Sequence, residues 1–317
     1  MADVPQSEIS AAVRRLLVDR NNWGRWGEAD QMGTLNHISP EKKVQAAKEV
    51  RSGITISLSR PLPVLPSANN PRPTSHYLER GDLDRFDAGH AADFLATGIH
   101  GMSMTHLDAL CHIWGPEGMW NGRNPDDEIR FGGAAWGAID HWSAGIVTRG
   151  VLLDAAGYRQ AEYVVPGRPL TGHEMVKIAD AQKISVEPGD ALVVYSGREK
   201  WEEEHGAWGG YLPEDLGKPR TGKEIRPGLD YSCLEPIRDW DIAALAWDMM
   251  DATPHREVPW TVHGAIYAYG LALIDNAKLD ALVAHCRSEN RWTFMLAVSP
   301  LPITGGTGSP VNPLALF

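Results

Sequence analysis

H-G-M-S-M-T-H-L-D-A-L-C-H, residues 100–112, is the stretch on which the reading of this chain turns. Within it His106, Asp108 and His112 fall inside seven positions. Residues two apart on a strand share a face, so an extended backbone makes His106 and Asp108 converge. Residues four apart on a helix share a face, so a helix makes Asp108 and His112 converge. A strand that becomes a helix at Asp108 aims all three at one point. The neighbours Leu107, Ala109, Leu110, Cys111, Ile113 and Trp114 are apolar. Polar groups set among them are part-buried and need partners. A lone His-x-Asp in a chain with 12 His reads first as a hydrogen-bonded pair. Three such residues in apolar company read as a site, and imidazole plus carboxylate is the ligand set of zinc and of manganese-like ions.

Outward from this stretch, helical and strand periods alternate along the chain. Apolar spacing predicts a first helix over residues 7–19. Ser39-Pro40-Glu41 starts a second, which runs to about Val50. Thr171 with Glu174 forms a capping box for a helix over 171–182. Further helices are predicted over 229–240 and 276–286. Strands are predicted over 54–58, 146–154, 242–247 and 292–299, and P-G-D at 188–190 is a turn feeding another in A-L-V-V-Y. Residues 21–36, 115–137 and 300–313 read as loops, the second of them placed to line a pocket after His112. Residues 61–73 are Pro-rich, and 74–96 are polar and charged; together they read as a long excursion, a lid or an oligomer contact. The alternation gives an α/β class, and no composition break divides residues 1–317, so one compact domain is expected.

Composition narrows the function. The chain has 317 residues, 43% of them hydrophobic and 22% charged, which is an ordinary globular balance. A formal net charge of −11 argues against nucleic acid and anionic membranes as partners. No run of about 18 apolar residues occurs, so no membrane span is expected. The start, M-A-D-V-P-Q-S-E, does not have the pattern of a secretory signal. Cys111, Cys233 and Cys286 are odd in number and far apart. They read as free thiols in a reducing, cytoplasmic compartment.

A second pair, His263 and Asp275, lies twelve positions apart around G-A-I-Y-A-Y-G-L-A-L-I. Alone it reads as a core His and a helix cap. With the first cluster, the chain resembles the cyclase family of metal-dependent hydrolases, which includes bacterial kynurenine formamidases and isatin hydrolases. That family's signature is H-x-G-T-H-x-D-x-P-x-H. Thr105, His106, Asp108 and His112 match its T-H-x-D-x-x-x-H portion. The family's later ligands are a His and, twelve residues on, a Glu. His263 matches the first, and Asp275 stands where the Glu falls. W-G at 23–24, G-T-L-N at 33–36, R-G-V-L-L-D at 149–154 and P-G-D at 188–190 extend the resemblance over nearly the whole chain. Three positions depart from the signature: Met102 stands for its first His, Met104 for its Gly and Leu110 for its Pro. His100, two residues earlier, reaches the same face if the segment is extended.

The resemblance implies a mixed central sheet with flanking helices, in a swivelling β/β/α-like fold. It implies one Zn²⁺ or Mn²⁺ held by His106, Asp108, His263 and Asp275, with His112 as the catalytic proton carrier. The implied reaction is hydrolysis of a C–N or C–O bond in a small cyclic amide, formamide, lactam or lactone by metal-activated water. A homo-oligomer is implied as well. The alternative is a non-catalytic binding protein on the same fold, suggested by Met102. A Cys111–His112 dyad is disfavoured, because adjacent helical residues point about 100° apart. No G-x-S-x-G elbow is present.

Overall fold

The computed structural model describes residues 6–209, 226–253, 258 and 260–317. Among them the helices are α1 (Gln6–Arg14), α2 (Pro40–Ala47), α3 (Pro125–Glu128), α4 (Ala155–Tyr158), α5 (Gly172–Ala181), α6 (Arg198–His205), α7 (Leu234–Asp239), α8 (Ala265–Tyr269) and α9 (Asp280–Glu289). The early strands are β1 (Thr55–Ser57), the hairpin β2 (Ser75–Leu83) and β3 (Ala88–Ala96), β4 (His106–Asp108), and a small ribbon of β5 (Ile129–Arg130) and β6 (Gly133–Ala134). The later ones are β7 (Ile146–Asp154), β8 (Ala191–Tyr195), β9 (Ala244–Trp247), β10 (Ala272–Asp275), β11 (Thr293–Val298), β12 (Gly308–Pro310) and β13 (Leu314–Leu316).

Nine strands form one mixed sheet in the order β1-β13-β11-β7-β8-β9-β10-β4-β12. Its centre, β7-β8-β9-β10, is parallel, and its flanks are antiparallel. The chain is thus a mixed α/β domain, as its alternating periods predict. The central strands are continuous apolar runs because both faces are covered. Leu192, Val194, Leu245, Trp247 and Leu273 enter one core cluster. Their alternates Ala191, Val193, Ala244, Ala246 and Ile274 enter the other. β7 has the predicted bounds, and α5 carries the predicted capping box of Thr171 and Glu174. Ser39 caps α2, which stops at Ala47 rather than reaching Val50.

Several expectations change. The predicted first helix ends in a π-helical turn, Arg15–Asp19. No helix begins at Asp108; β4 runs into a turn closed by the His112 N–H on the Ala109 carbonyl at 3.0 Å. The helix expected over 276–286 begins at Asp280, because Asn276 is left-handed (φ 54°) and ends β10 in a bend. The tail over 300–313 is not all loop. Gly308–Pro310 pairs with β4 and seals its outer edge, so residues 292–299 are not the last strand. The excursion over 74–96 is a regular hairpin. Of the charged stretch over 199–215, the first part is α6, and residues 210–215 lie outside the described residues.

Candidate metal centre

Register assembles the site. In the β4–β10 ladder His106 lies opposite Asp275, and Asp108 lies opposite Leu273. Directly opposed residues share a face, as do residues two apart on a strand. His106, Asp108 and Asp275 therefore converge at the end of the sheet, on the face that also carries Leu273 and Trp247. Their ligand atoms lie within 4.8 Å of one another. His106 Nε2 is 3.4 Å from Asp108 Oδ1 and 3.8 Å from Asp275 Oδ2. His263, from the 3-10 turn Val262–Gly264 before α8, places Nε2 3.1 Å from Asp275 Oδ2. All four predicted metal-binding side chains thus meet, although His263 touches the cluster only through Asp275.

His112 arrives by a different route from the one expected. The turn, rather than a helix, brings its Nε2 to 3.9 Å from Asp108 Oδ1. His100 lies flat on it, with ring centroids 3.5 Å apart and planes within 3°. His100 Nδ1 stands 2.9 Å from Asp108 Oδ1, and its Nε2 bonds the Thr307 hydroxyl at 2.9 Å. His100, Asp108 and His112 form a second triad of close ligand atoms that shares Asp108 with the first. Gly308 makes room for it: a Cβ there would come within 2.8 Å of the His100 ring and 2.7 Å of the Leu107 carbonyl. His100 therefore reaches the same face in spite of Met102.

Two of the imidazoles are oriented from behind. His106 Nδ1 donates to the Met104 carbonyl at 2.8 Å, which leaves its Nε2 lone pair facing the cluster. Asp251 takes the Nδ1 side of His263 in a short contact, and also accepts the Val262 N–H at 2.6 Å. Trp247 Nε1 donates to Asp275 Oδ1 at 2.5 Å, leaving Oδ2 for the site. Behind the 100–104 segment, buried Asn276 donates to the Gly101 and Met104 carbonyls at 2.8 and 3.0 Å and accepts from Arg198 Nη1 at 2.6 Å. Arg198 is itself fully buried and also donates to the Met102 carbonyl. Sequence reasoning assigned no role to Asp251, Asn276 or Arg198. Their roles rest on contacts between distant segments.

The electrostatics point the same way. Asp108 is fully buried, and neither of its carboxylate oxygens has a hydrogen bond of ordinary geometry. Burial alone would raise its pKa, but His112, His106 and His100 outweigh that and lower it. His112 is pushed down to about 4, first by burial and further by His100 and His263, against the pull of Asp108 and Asp275. It is neutral at pH 7. Burial also depresses His263, yet Asp251 and Asp275 overcome this and hold its pKa well above the usual value. Cys111 is buried with its thiol pushed up to about 12 by burial, the opposite of an activated nucleophile.

The donor set fits a cation. A buried carboxylate without hydrogen bonds, ringed by imidazole nitrogens, is costly unless a positive charge joins it. A cavity of about 240 Å³ opens onto the cluster. Its walls include Met102, Ile113, Met250, Trp260 and Arg226. Trp260 Nε1 donates to the Trp114 carbonyl at 3.1 Å across one side.

A mixed α/β domain that gathers two His/Asp triads at one end of its sheet defines a class of candidate metalloproteins. The comparisons narrow it: a family model described as "Putative cyclase" matches residues 52–253, more than half of the chain, and the protein belongs to that cyclase family. A solved structure described as a novel cyclase is 29% identical, covering 94% of this chain and 99% of its own, with a TM-score of 0.80. An isatin hydrolase solved with a product analogue, thioisatinate, shares the fold at 18% identity, covering 88% of this chain and 99% of its own, with a TM-score of 0.57. A protein from Bacillus stearothermophilus described as a predicted metal-dependent hydrolase shares it at 12% identity, covering 84% of this chain and 98% of its own, with a TM-score of 0.51. No curated protein matches the chain. No helix among the described residues is long and apolar enough to cross a membrane.

Proposed function

We propose that this protein is a metal-dependent hydrolase that opens a C–N or C–O bond in a small cyclic amide, formamide, lactam or lactone. The single observation that carries the reading is Asp108, fully buried and without an ordinary hydrogen bond amid His100, His106 and His112. His106, Asp108, Asp275 and His263 are the residues that would hold one Zn²⁺ or Mn²⁺, whose mixed nitrogen and oxygen preference they suit. Bound there, such an ion supplies a Lewis acid that polarises a carbonyl and activates water. Membership of the cyclase family and the named hydrolases that share the fold support the same class.

The chain's own groups supply the rest. Neutral His112 accepts a proton at Nε2 and returns it to the leaving nitrogen or oxygen. Stacking on His100 fixes its ring. Met104 and Asp251 set the tautomers of His106 and His263 so that each turns Nε2 to the cluster. Met102, Ile113, Met250 and Trp260 give the cavity an apolar lining that favours a small, largely apolar substrate and thins the water around the reacting carbonyl.

The test is elemental analysis of protein purified without added metal, with His106→Ala in parallel. The expected result is about one Zn or Mn per chain, lost in the variant, followed by turnover of cyclic amides, formamides or lactones. Absence of metal after soaking with Zn²⁺ and Mn²⁺ would overturn the reading in favour of a binding protein on this fold. Two ions per chain would assign the second to His100, Asp108 and His112, and would remove His112 as the proton carrier.

A further inference from the structure

Met102 stands where the family signature has its first His, and the proposed metal chemistry gives it no part. Its surroundings do. The backbone on either side is pinned: Asn276 donates to the Gly101 and Met104 carbonyls, and Arg198 donates to the Met102 carbonyl itself. The side chain is half-buried against the core cluster that contains Trp208 and Met250. It runs between two segments. On one side, a Cβ at Gly209 would come within 3.1 Å of Met102 Cβ and 3.0 Å of its Cγ. On the other, Met102 Sδ meets Arg226 Nη1 at 4.0 Å.

Two cavities meet there. The first is the one of about 240 Å³ beside the His/Asp cluster, which has Arg226 in its wall. The second, of about 180 Å³, lies towards Pro63, Asn69, Pro71, Arg72 and Thr97. Asn69 ties that wall to Gly209, whose N–H it accepts at 2.6 Å. The two cavities have His100, Gly101 and Met102 in common. Gly101 has no side chain, and His100 is fixed by its stack on His112 and its bond to Thr307. Met102 is therefore the shared side chain that can turn, and methionine is unbranched and rotates about each of its bonds. A cavity of about 240 Å³ falls short of the roughly 300–1,000 Å³ of sites that enclose drug-sized ligands, whereas the two cavities joined would enter that range.

We propose that Met102 is a specificity-determining residue: its side chain is the partition between the two cavities and restricts the reaction to compact ring substrates without a long arm. This rests on the metal-dependent hydrolase reading above and deepens it, by naming which cyclic amides and lactones the site admits. A substrate that carries a second ring or a chain in line with the first meets the thioether. It reaches the second cavity only where that side chain is shortened or has swung aside. The pinned backbone leaves the side chain alone to decide this, so position 102 sets substrate size.

Calorimetry on the full chain loaded with Zn²⁺, with bound metal measured on each sample, tests this with two hydroxamates, which chelate zinc through their oxygens. Benzohydroxamate has one ring, and para-phenylbenzohydroxamate carries a second in line with it. The wild type binds the one-ring probe more tightly by about tenfold or more, the cost of forcing extra bulk against a filled wall. In Met102→Ala that preference falls to about threefold or less. Met102→Leu, which keeps the bulk without the sulfur, retains the wild-type preference. Met102→Val, a milder shortening, falls between and serves if Met102→Ala does not fold by circular dichroism. A wild type without the preference overturns the proposal. So does a folded, zinc-loaded Met102→Ala or Met102→Val that keeps it in full, and either result leaves the metal site standing. Met102→Leu behaving as Met102→Ala overturns it too, since sulfur and not bulk would then be the cause. A wild type that holds no Zn²⁺ and binds neither probe overturns the hydrolase reading, and the proposal with it.

Discussion

Asp190 and Asp108 are both fully buried carboxylates at strand ends of the same sheet, and they are treated in opposite ways. Asp190, just before β8, accepts Arg149 Nε at 2.9 Å and Nη2 at 2.6 Å and the Glu187 N–H at 2.8 Å. Lys42 Nζ adds a contact at 2.6 Å. Every lone pair has a partner, so the network is structural: it ties β7 and α2 to the turn before β8. Asp108, at the end of β4, has imidazoles within 2.9 to 3.9 Å and an ordinary hydrogen bond to none of them. A saturated buried charge is part of the scaffold. An unsaturated one surrounded by metal-ligating groups is a place held for a ligand.

The largest effect expected is at the unsaturated carboxylate. Asp108→Ala and His106→Ala lose metal affinity and turnover by orders of magnitude, read by elemental analysis and substrate assay. Metal-free Asp108→Ala should lose less stability than Asp190→Ala, since imidazoles favour the Asp108 carboxylate but no scaffold group gives it an ordinary hydrogen bond. A loss as large as that of Asp190→Ala would make Asp108 a second Asp190 and break the comparison.

Within the same cluster, His112→Ala separates chemistry from binding. It keeps much of the metal, and kcat falls by about 10²–10⁴, the usual worth of a positioned acid–base group. Full turnover in this variant would remove His112 from the reaction.

The saturated carboxylate should behave the other way. Asp190→Ala strands Arg149 and Lys42 and lowers the unfolding free energy by about 3–5 kcal/mol, measured in urea. The folded fraction binds metal as tightly as the parent. A change in metal stoichiometry there would show that the two ends of the sheet are coupled.

These two carboxylates were not equally legible in the sequence. Asp108 was, because T-H-x-D compresses two ligands onto one strand face, where a period of two suffices to read them. The central strands were also legible: Ile146–Asp154 is a buried run with no polar alternation, and Thr171 with Glu174 announces α5. What was not legible depends on pairing between distant segments. Gly308–Pro310 has three residues and no period of its own, and becomes a strand only because β4 has an open edge. Asp251 gains its role through His263, twelve residues later. The β2–β3 hairpin hides its period because both faces mix apolar and polar residues: Glu79 and His90 lie with Tyr77 and Phe94, and Leu78 and Leu95 lie with Arg80 and Asp93. His112 was read correctly as near Asp108 but for the wrong reason, since a turn, not a helix, brings it there.

Asn276 gives the smallest effect and the finest test of how the unsaturated site is kept in shape. Its side chain donates to the Gly101 and Met104 carbonyls, and the Met104 carbonyl in turn accepts Nδ1 of His106. One amide therefore fixes both the segment that carries His100 and the acceptor that sets the His106 tautomer. Left-handed backbone at this position suits Asn, so the same residue also turns the chain out of β10 after Asp275. Asn276→Ala loses the anchor but keeps every side chain around the ion. Metal affinity should weaken by about 10–100-fold, the usual worth of a group that orients a ligand from behind. The spectrum of the Co²⁺-loaded variant should broaden as His106 loses its fixed ring, a change that a mere loss of fold stability does not produce. Unchanged affinity together with an unchanged Co²⁺ spectrum would mean that β4 and β10 alone hold the ligands, and that the network behind residues 100–104 serves stability, as Asp190 does.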